Sequence, residues 1–221
     1  MTLKFQLYWS FRSPYSYLVT PRLIAFERAF DVACEVRVVY PTAIRAPEFI
    51  ESRHPHWVSY FIRDMVRSAE YLGMELAWPR PDPVASDPQT GHYLAEQPYI
   101  HRLTRLGQAA AEQGQGLAFL HEVSKVLWSP AIANWTEGAH LHDAAARAGL
   151  DLDALDAAIA ANPAPYEDAI QDNQRQLDAA GHWGVPLMVF EGEPFFGQDR
   201  FDMLQWRMAQ KGLRRREAIA K

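Results

Sequence analysis

The stretch that most constrains this chain is residues 3–41, where the hydrophobic pattern changes period twice. Residues 3–9, LKFQLYW, alternate apolar and polar side chains and are rich in large ones, the period-two pattern of a strand. SPYSYLVTPRLIAFERAF follows. Ser13 stands before Pro14, and a proline at the first helical position gives up an N–H that has no partner there anyway. A helix is expected from Pro14 to about Phe30, with Pro21 far enough inside to kink it. VACEVRVVYP, residues 32–41, is β-branched and closed by Pro41, so it reads as a second strand. A crossover helix between two strands returns the chain to the same end of the sheet, so the sheet starts parallel.

From about residue 45 to 160 the pattern is helical. WVSYFIRDMVRSAEYLGM, YIHRLTRLGQAAAEQG, LAFLHEVSKVLW and EGAHLHDAAARAGL are separated chiefly by the proline-rich loop AWPRPDPVASDPQTG. A helix over 166–180 comes next. GVPLMVFEGEPFFGQD then carries two short apolar runs around Glu191-Gly192-Glu193, a hairpin with glycine in its tight turn. A last helix is expected from about Asp199 to Gln210. This order predicts an α/β chain, a thioredoxin-like fold with a large all-helical domain inserted after the second strand. The expected partition is 1–43 and 163–221 for the sheet domain and 44–162 for the insertion; two unrelated domains would leave each half-sheet with open edges.

Of the 221 residues, 48% are hydrophobic and 12% aromatic, ample for a core. The formal charge of −5 argues against nucleic acid as a partner, because that affinity rests on neutralising phosphates with a basic surface. KGLRRREAIAK, residues 211–221, reads as a solvated helix end and is given no function. The single cysteine, Cys34, excludes an internal disulfide and reads as a small buried hydrophobe in the second strand. The N-terminus has no long apolar run with a cleavage site, and no window approaches the roughly 18 apolar residues of a membrane span, so a cytoplasmic protein without membrane contact is expected.

Ser13 stands where a strand meets a helix, and the unpaired N–H groups of a helix start suit an anion. Its local alternative is simply to cap the helix. Val185-Pro186 is either an ordinary trans bond opening a strand or a cis bond that frees the backbone of Val185 to pair with an extended ligand. Asp199 either caps the last helix or, together with Gln198, grips the ammonium and carboxylate ends of a ligand.

The apolar first strand, S-P-Y-S-Y-L, the helical middle, G-V-P and G-Q-D-R together resemble the DsbA-like thioredoxin family that includes 2-hydroxychromene-2-carboxylate isomerases and kappa-class glutathione transferases. The resemblance spans essentially the whole chain. It takes in YFIRDMVR, where Tyr60, Asp64 and Arg67 match an inserted helix, and LWSPAIANWTEGAHLHDAAARAGLD. It implies that Ser13 replaces the first cysteine of the redox relatives, with Ser16 at the second. The implied cofactor is glutathione, its thiolate accepting a hydrogen bond from Ser13 Oγ. Val185, before Pro186, would pair with the cysteinyl unit, and Gln198 and Asp199 would hold the γ-glutamyl end. For the glycyl end the family's Asn and Lys have no match here; Arg45, Arg53 or His54 could substitute electrostatically or be merely exposed. The resemblance also implies a homodimer and a small, aromatic-derived substrate.

The expected activity is that of a glutathione-dependent isomerase of the 2-hydroxychromene-2-carboxylate isomerase type. The alternatives are a kappa-like glutathione transferase and a non-catalytic thioredoxin-fold binding protein. No metal is expected: His54 with His56 and His140 with His142 lack a third ligand. The tryptophans read mostly as core, with Trp9 or Tyr15 near the turn able to line a pocket.

Overall fold

The computed structural model describes residues 2–217. Its sheet has four strands in the order β2-β1-β3-β4. β1 (Leu3–Trp9) pairs in parallel with β2 (Val32–Val38), and the crossover between them is α1 (Pro14–Ala29). β3 (Leu187–Phe190) adds to the other side of β1 antiparallel and pairs with β4 (Glu193–Phe196). The hairpin turn is Glu191-Gly192, with φ of 50° and 81°. Positive φ at both central residues matches the turn to the twist of the strands and explains the glycine. β4 ends the sheet, where Pro194 is tolerated.

Between β2 and β3 run α2 (Thr42–Arg45), α3 (Pro47–Glu51), α4 (Pro55–Leu72), α5 (Ile100–Glu112), α6 (Gly116–Leu127), α7 (His140–Arg147), α8 (Leu152–Ala161) and α9 (Ala164–Ala179). The boundary expected after residue 43 falls inside α2. One buried cluster also runs through both parts, joining Phe5, Leu7 and Trp9 of β1 to Leu106 of α5, Phe119 of α6 and Leu155 of α8. Glycine permits this contact: a Cβ on Gly107 would lie 2.9 Å from Phe11 Cε2, and one on Gly116 would lie 3.0 Å from Val36 Cβ. The opposite face of the sheet carries Tyr8, Leu187 and Val189 against Leu177 of α9. Residues of β3 alternate between the two clusters as the pleat requires.

A 3-10 turn (Gln198–Arg200) leads into α10 (Phe201–Gln210). The basic tail is not a helix end. α10 stops at Gln210, and the strap beyond it is held to the α1–β2 junction by Asp31 N–H on the Arg214 carbonyl at 2.8 Å and Arg216 N–H on the Ala29 carbonyl at 2.9 Å. Residues 218–221 of that tail lie outside the described residues.

Candidate active site

Ser13 is the N-cap of α1, with extended backbone (φ −106°, ψ 113°) and Pro14 in the first turn. Its Oγ accepts the Ser16 N–H at 3.2 Å and donates to the Val185 carbonyl at 3.2 Å, joining positions 172 residues apart. The Val185-Pro186 bond is cis. The Pro186 carbonyl accepts the N–H of Gly197 at 2.9 Å, and the Val185 N–H has no backbone acceptor among the described residues. The turn after β1 and the segment before β3 thus meet because β1 and β3 are neighbours in the sheet. The Oγ of Ser16 is buried and makes no hydrogen bond.

Over Ser13 and Val185 lies a cavity of about 550 Å³, lined mostly by apolar side chains. Trp57, Val58, Phe61, Ile62 and Met65 of α4 contribute to it, as do Arg12, Trp78 and Tyr93, and Trp183, Gly184 and Phe196. The tryptophans therefore divide: Trp9, Trp128 and Trp135 are core, whereas Trp57, Trp78 and Trp183 face the cavity. Tyr15 lines it and Trp9 does not. Gly184 is required by packing. The Phe196 ring, stacked 3.8 Å from His182, would lie 2.5 Å from a Cβ placed there. His182 Nδ1 accepts the Gly184 N–H at 2.9 Å, which requires the imidazole to be neutral, and burial holds its pKa below the ordinary value.

Of the three side chains considered for a carboxylate, only Arg53 reaches the cavity. Its guanidinium lies 3.5 Å from the Trp57 ring centre and 4.4 Å from that of Phe49, and its buried Nε has no partner. No carboxylate of the described residues pairs with it, so its Nε is a buried donor without an acceptor. Arg45 is committed to the backbone, donating to the Tyr40 carbonyl at 2.6 Å and to that of Trp183 at 2.8 Å. His54 caps α4, its Nδ1 accepting the His56 N–H at 3.2 Å.

Tyr60, Asp64 and Arg67 form one network with Tyr15. The Tyr15 hydroxyl donates to Asp64 at 2.6 Å, Arg67 donates to the other oxygen of Asp64, and Arg67 also reaches Tyr60 at 3.3 Å. Burial and then Asp64 push the Tyr15 phenol well above its usual range. Burial opposes ionisation of Asp64 too, but the Tyr15 and Arg67 donors prevail and hold its pKa low. Tyr15 is therefore an anchored wall residue rather than an acid.

Of the two expectations for Gln198 and Asp199, the helix cap is not met. Neither caps a helix: the N-cap position of the 3-10 turn is Gly197 and that of α10 is Arg200, both without a side-chain cap hydrogen bond. Gln198 is buried, with Oε1 accepting from Arg22 and Nε2 donating to Asp199. Arg22 also holds the Gln198 carbonyl at 2.8 Å. Pro186, Gln198 and Asp199 do not line the cavity, although the charge of Asp199 is one of those raising the Tyr15 phenol. Sequence reasoning missed Arg12, Trp78 and Tyr93; the arginine inside S-F-R-S and the aspartate of the proline-rich loop are the only local signals for them.

Cys34 lies in β2, half-buried, and burial followed by Glu27 and Glu35 pushes its thiol up, so it stays neutral. Among the described residues, no group of three or more His, Cys, Asp or Glu could hold a metal ion, and no helix is long and apolar enough to cross a membrane.

The fold is shared with solved structures. A 2-hydroxychromene-2-carboxylate isomerase superposes with a TM-score of 0.68 at 20% identity, over 95% of this chain and 96% of that one. A probable DsbA oxidoreductase from Streptomyces coelicolor gives 0.63 at 18%, over 94% and 89%. The cytosolic disulfide reductase DsbM from Pseudomonas aeruginosa gives 0.55 at 18%, over 94% and 100%, and a structure of it with GSH gives 0.53 at 17%. No curated protein sequence matches. The model of the DSBA-like thioredoxin domain matches residues 5–209, and the chain accordingly belongs to the DSBA-like thioredoxin domain family.

Proposed function

We propose that the cavity binds glutathione and that the protein is a glutathione-dependent isomerase of the 2-hydroxychromene-2-carboxylate isomerase type, acting on an aromatic-derived substrate. The observation that carries this reading is a hydroxyl at the start of the first helix, the position that the family resemblance gives to the redox relatives' thiol. Ser13 Oγ stands at the start of a 16-residue helix and hydrogen-bonds the residue before a cis proline, under an apolar cavity. The one cysteine of the chain, Cys34, does not line the cavity and keeps its thiol neutral, so a reacting thiol there would come from a cofactor.

The hydroxyl proton that Ser13 now gives to the Val185 carbonyl is the one it would give to the sulfur. An amide N–H of the bound peptide would replace it on that carbonyl, and the free Val185 N–H would meet a peptide carbonyl. The exchange costs no hydrogen bond, and the helix start favours the anion. The thiolate would add to a conjugated carbon, allow rotation about the former double bond, and leave, regenerating glutathione. Arg53 suits the glycyl carboxylate. Gln198, already engaged with Arg22, positions Asp199, whose exposed carboxylate is left for the γ-glutamyl ammonium.

Calorimetry with glutathione tests the binding. A coupled assay tests the outcome: unchanged free thiol over many turnovers supports the isomerase, whereas thiol lost in proportion to product means a kappa-like transferase. No heat at millimolar glutathione leaves a non-catalytic binding protein. We also place the protein in the cytoplasm, free of nucleic acid and membrane, where one neutral thiol is compatible with reducing conditions, and as a homodimer, which light scattering tests.

A further inference from the structure

The thiolate chemistry makes no use of Arg12, yet Arg12 has the most elaborate setting of any side chain at the cavity. Asp82, in the loop between α4 and α5, accepts four hydrogen bonds: Arg12 Nε at 2.7 Å and Nη2 at 2.8 Å, the indole Nε1 of Trp78 at 3.0 Å, and the N–H of Val84 at 2.9 Å. The guanidinium in turn lies 5.4 Å from the Trp78 ring centre and 5.5 Å from that of Tyr93. The two charged side chains are only 17% and 26% exposed. Desolvating such a pair is costly and is offset only when geometry is good, as in a two-pronged fork whose carboxylate oxygens are fully used. The arrangement ties the loop to the residue next to Ser13, and Arg12, Trp78 and Tyr93 all face the cavity while Asp82 does not.

We infer that Asp82 is the positioning residue for the electrophile's side of the cavity. Through Arg12 and Trp78 it holds the Trp78 and Tyr93 rings as a rigid wall for a planar conjugated ring, beside the site of the thiolate. The inference rests on reading this cavity as the glutathione site. Loss of one carboxylate oxygen frees the Trp78 indole and one edge of the guanidinium together, so it loosens the wall without touching Ser13 or Val185.

The test measures two ligands on the same protein: 2-naphthol by quenching of tryptophan fluorescence, and glutathione by calorimetry. Asp82→Asn is expected to weaken 2-naphthol about tenfold, or ~1.4 kcal/mol, with glutathione affinity unchanged. Arg12→Lys should lie between, because an ammonium cannot keep the fork. In turnover, KM for the electrophile rises and kcat holds. Unchanged 2-naphthol binding in Asp82→Asn, an equal loss of both ligands, or no saturable 2-naphthol binding by the unaltered protein overturns the inference. Should Asp82→Asn not fold, Trp78→Leu decides: unweakened 2-naphthol overturns it, and a selective loss supports it. If 2-naphthol behaves as expected and glutathione gives no heat, the wall stands and the glutathione reading falls.

Discussion

Replacing Ser13 with alanine separates a helix cap from a thiolate donor, because the two roles have different magnitudes and different readouts. As a cap, Ser13 Oγ accepts the Ser16 N–H at 3.2 Å. Losing that bond costs about 1 kcal/mol, which lowers the melting temperature of a chain this size by about 2–4 °C. As a donor to a thiolate it makes a charge-assisted bond worth about 1.5–3 kcal/mol. At ~1.4 kcal/mol per pKa unit, its loss raises the pKa of bound glutathione by about one to two units. The turnover at neutral pH then falls roughly 10- to 100-fold, and the deficit shrinks as pH rises through the new pKa. The helix start and the Val185 backbone remain, so glutathione still binds. Thiolate absorbance in the ultraviolet against pH, beside a thermal melt, reads both effects, and Ser13→Thr should restore both. A lower melting temperature with an unmoved thiolate titration would refute the reasoning and leave Ser13 a cap.

Arg53→Ala should weaken glutathione about tenfold or more and remove most of the salt dependence of binding, with Arg53→Lys only a partial rescue; calorimetry at two ionic strengths reads this. Gly184→Ala forces the Phe196 ring off His182, since the new Cβ would stand 2.5 Å from it. Because Phe196 is 42% exposed, the loss should appear in glutathione affinity, about tenfold, rather than in the melting temperature. His182 predicts a pH dependence. Its folded pKa is depressed, so its contribution to the order of the 182–185 segment is complete above the ordinary histidine value of about 6.5 and is lost as pH falls below it. Glutathione affinity should decline through that window, and His182→Gln should flatten the curve; an unchanged slope counts against the assignment.

The strands and helices were legible because each obeys a local rule. LKFQLYW became β1, VACEVRVVYP became β2 as far as Val38, and S-P opened α1 where proline belongs. Glu191-Gly192 made the hairpin turn, whose two central positions both take positive φ, with glycine at the second. The basic tail was misread since no rule of periodicity reveals a strap whose hydrogen bonds run to Asp31 and Ala29. For G-Q-D-R local rules leave a cap and a ligand grip equally open; the cap falls because Gly197 holds the N-cap position and Gln198 is engaged by Arg22, a helix position that the last turn meets only in space.

The sequence by itself determined the strands, most of the longer helices, the absence of a dithiol and the presence of a serine at the first turn, since these follow from periodicity, cap chemistry and composition. Tertiary structure alone decided which side chains share the cavity. Ser13 meets Val185 through the pairing of β1 with β3, Arg53 rather than Arg45 lines the cavity, and Arg12 finds Asp82 70 residues away. The physical reason is that a hydrogen bond or a ring stack depends on a few ångströms of separation, and those separations are set by how the helices pack on the sheet, which no local pattern of residues encodes.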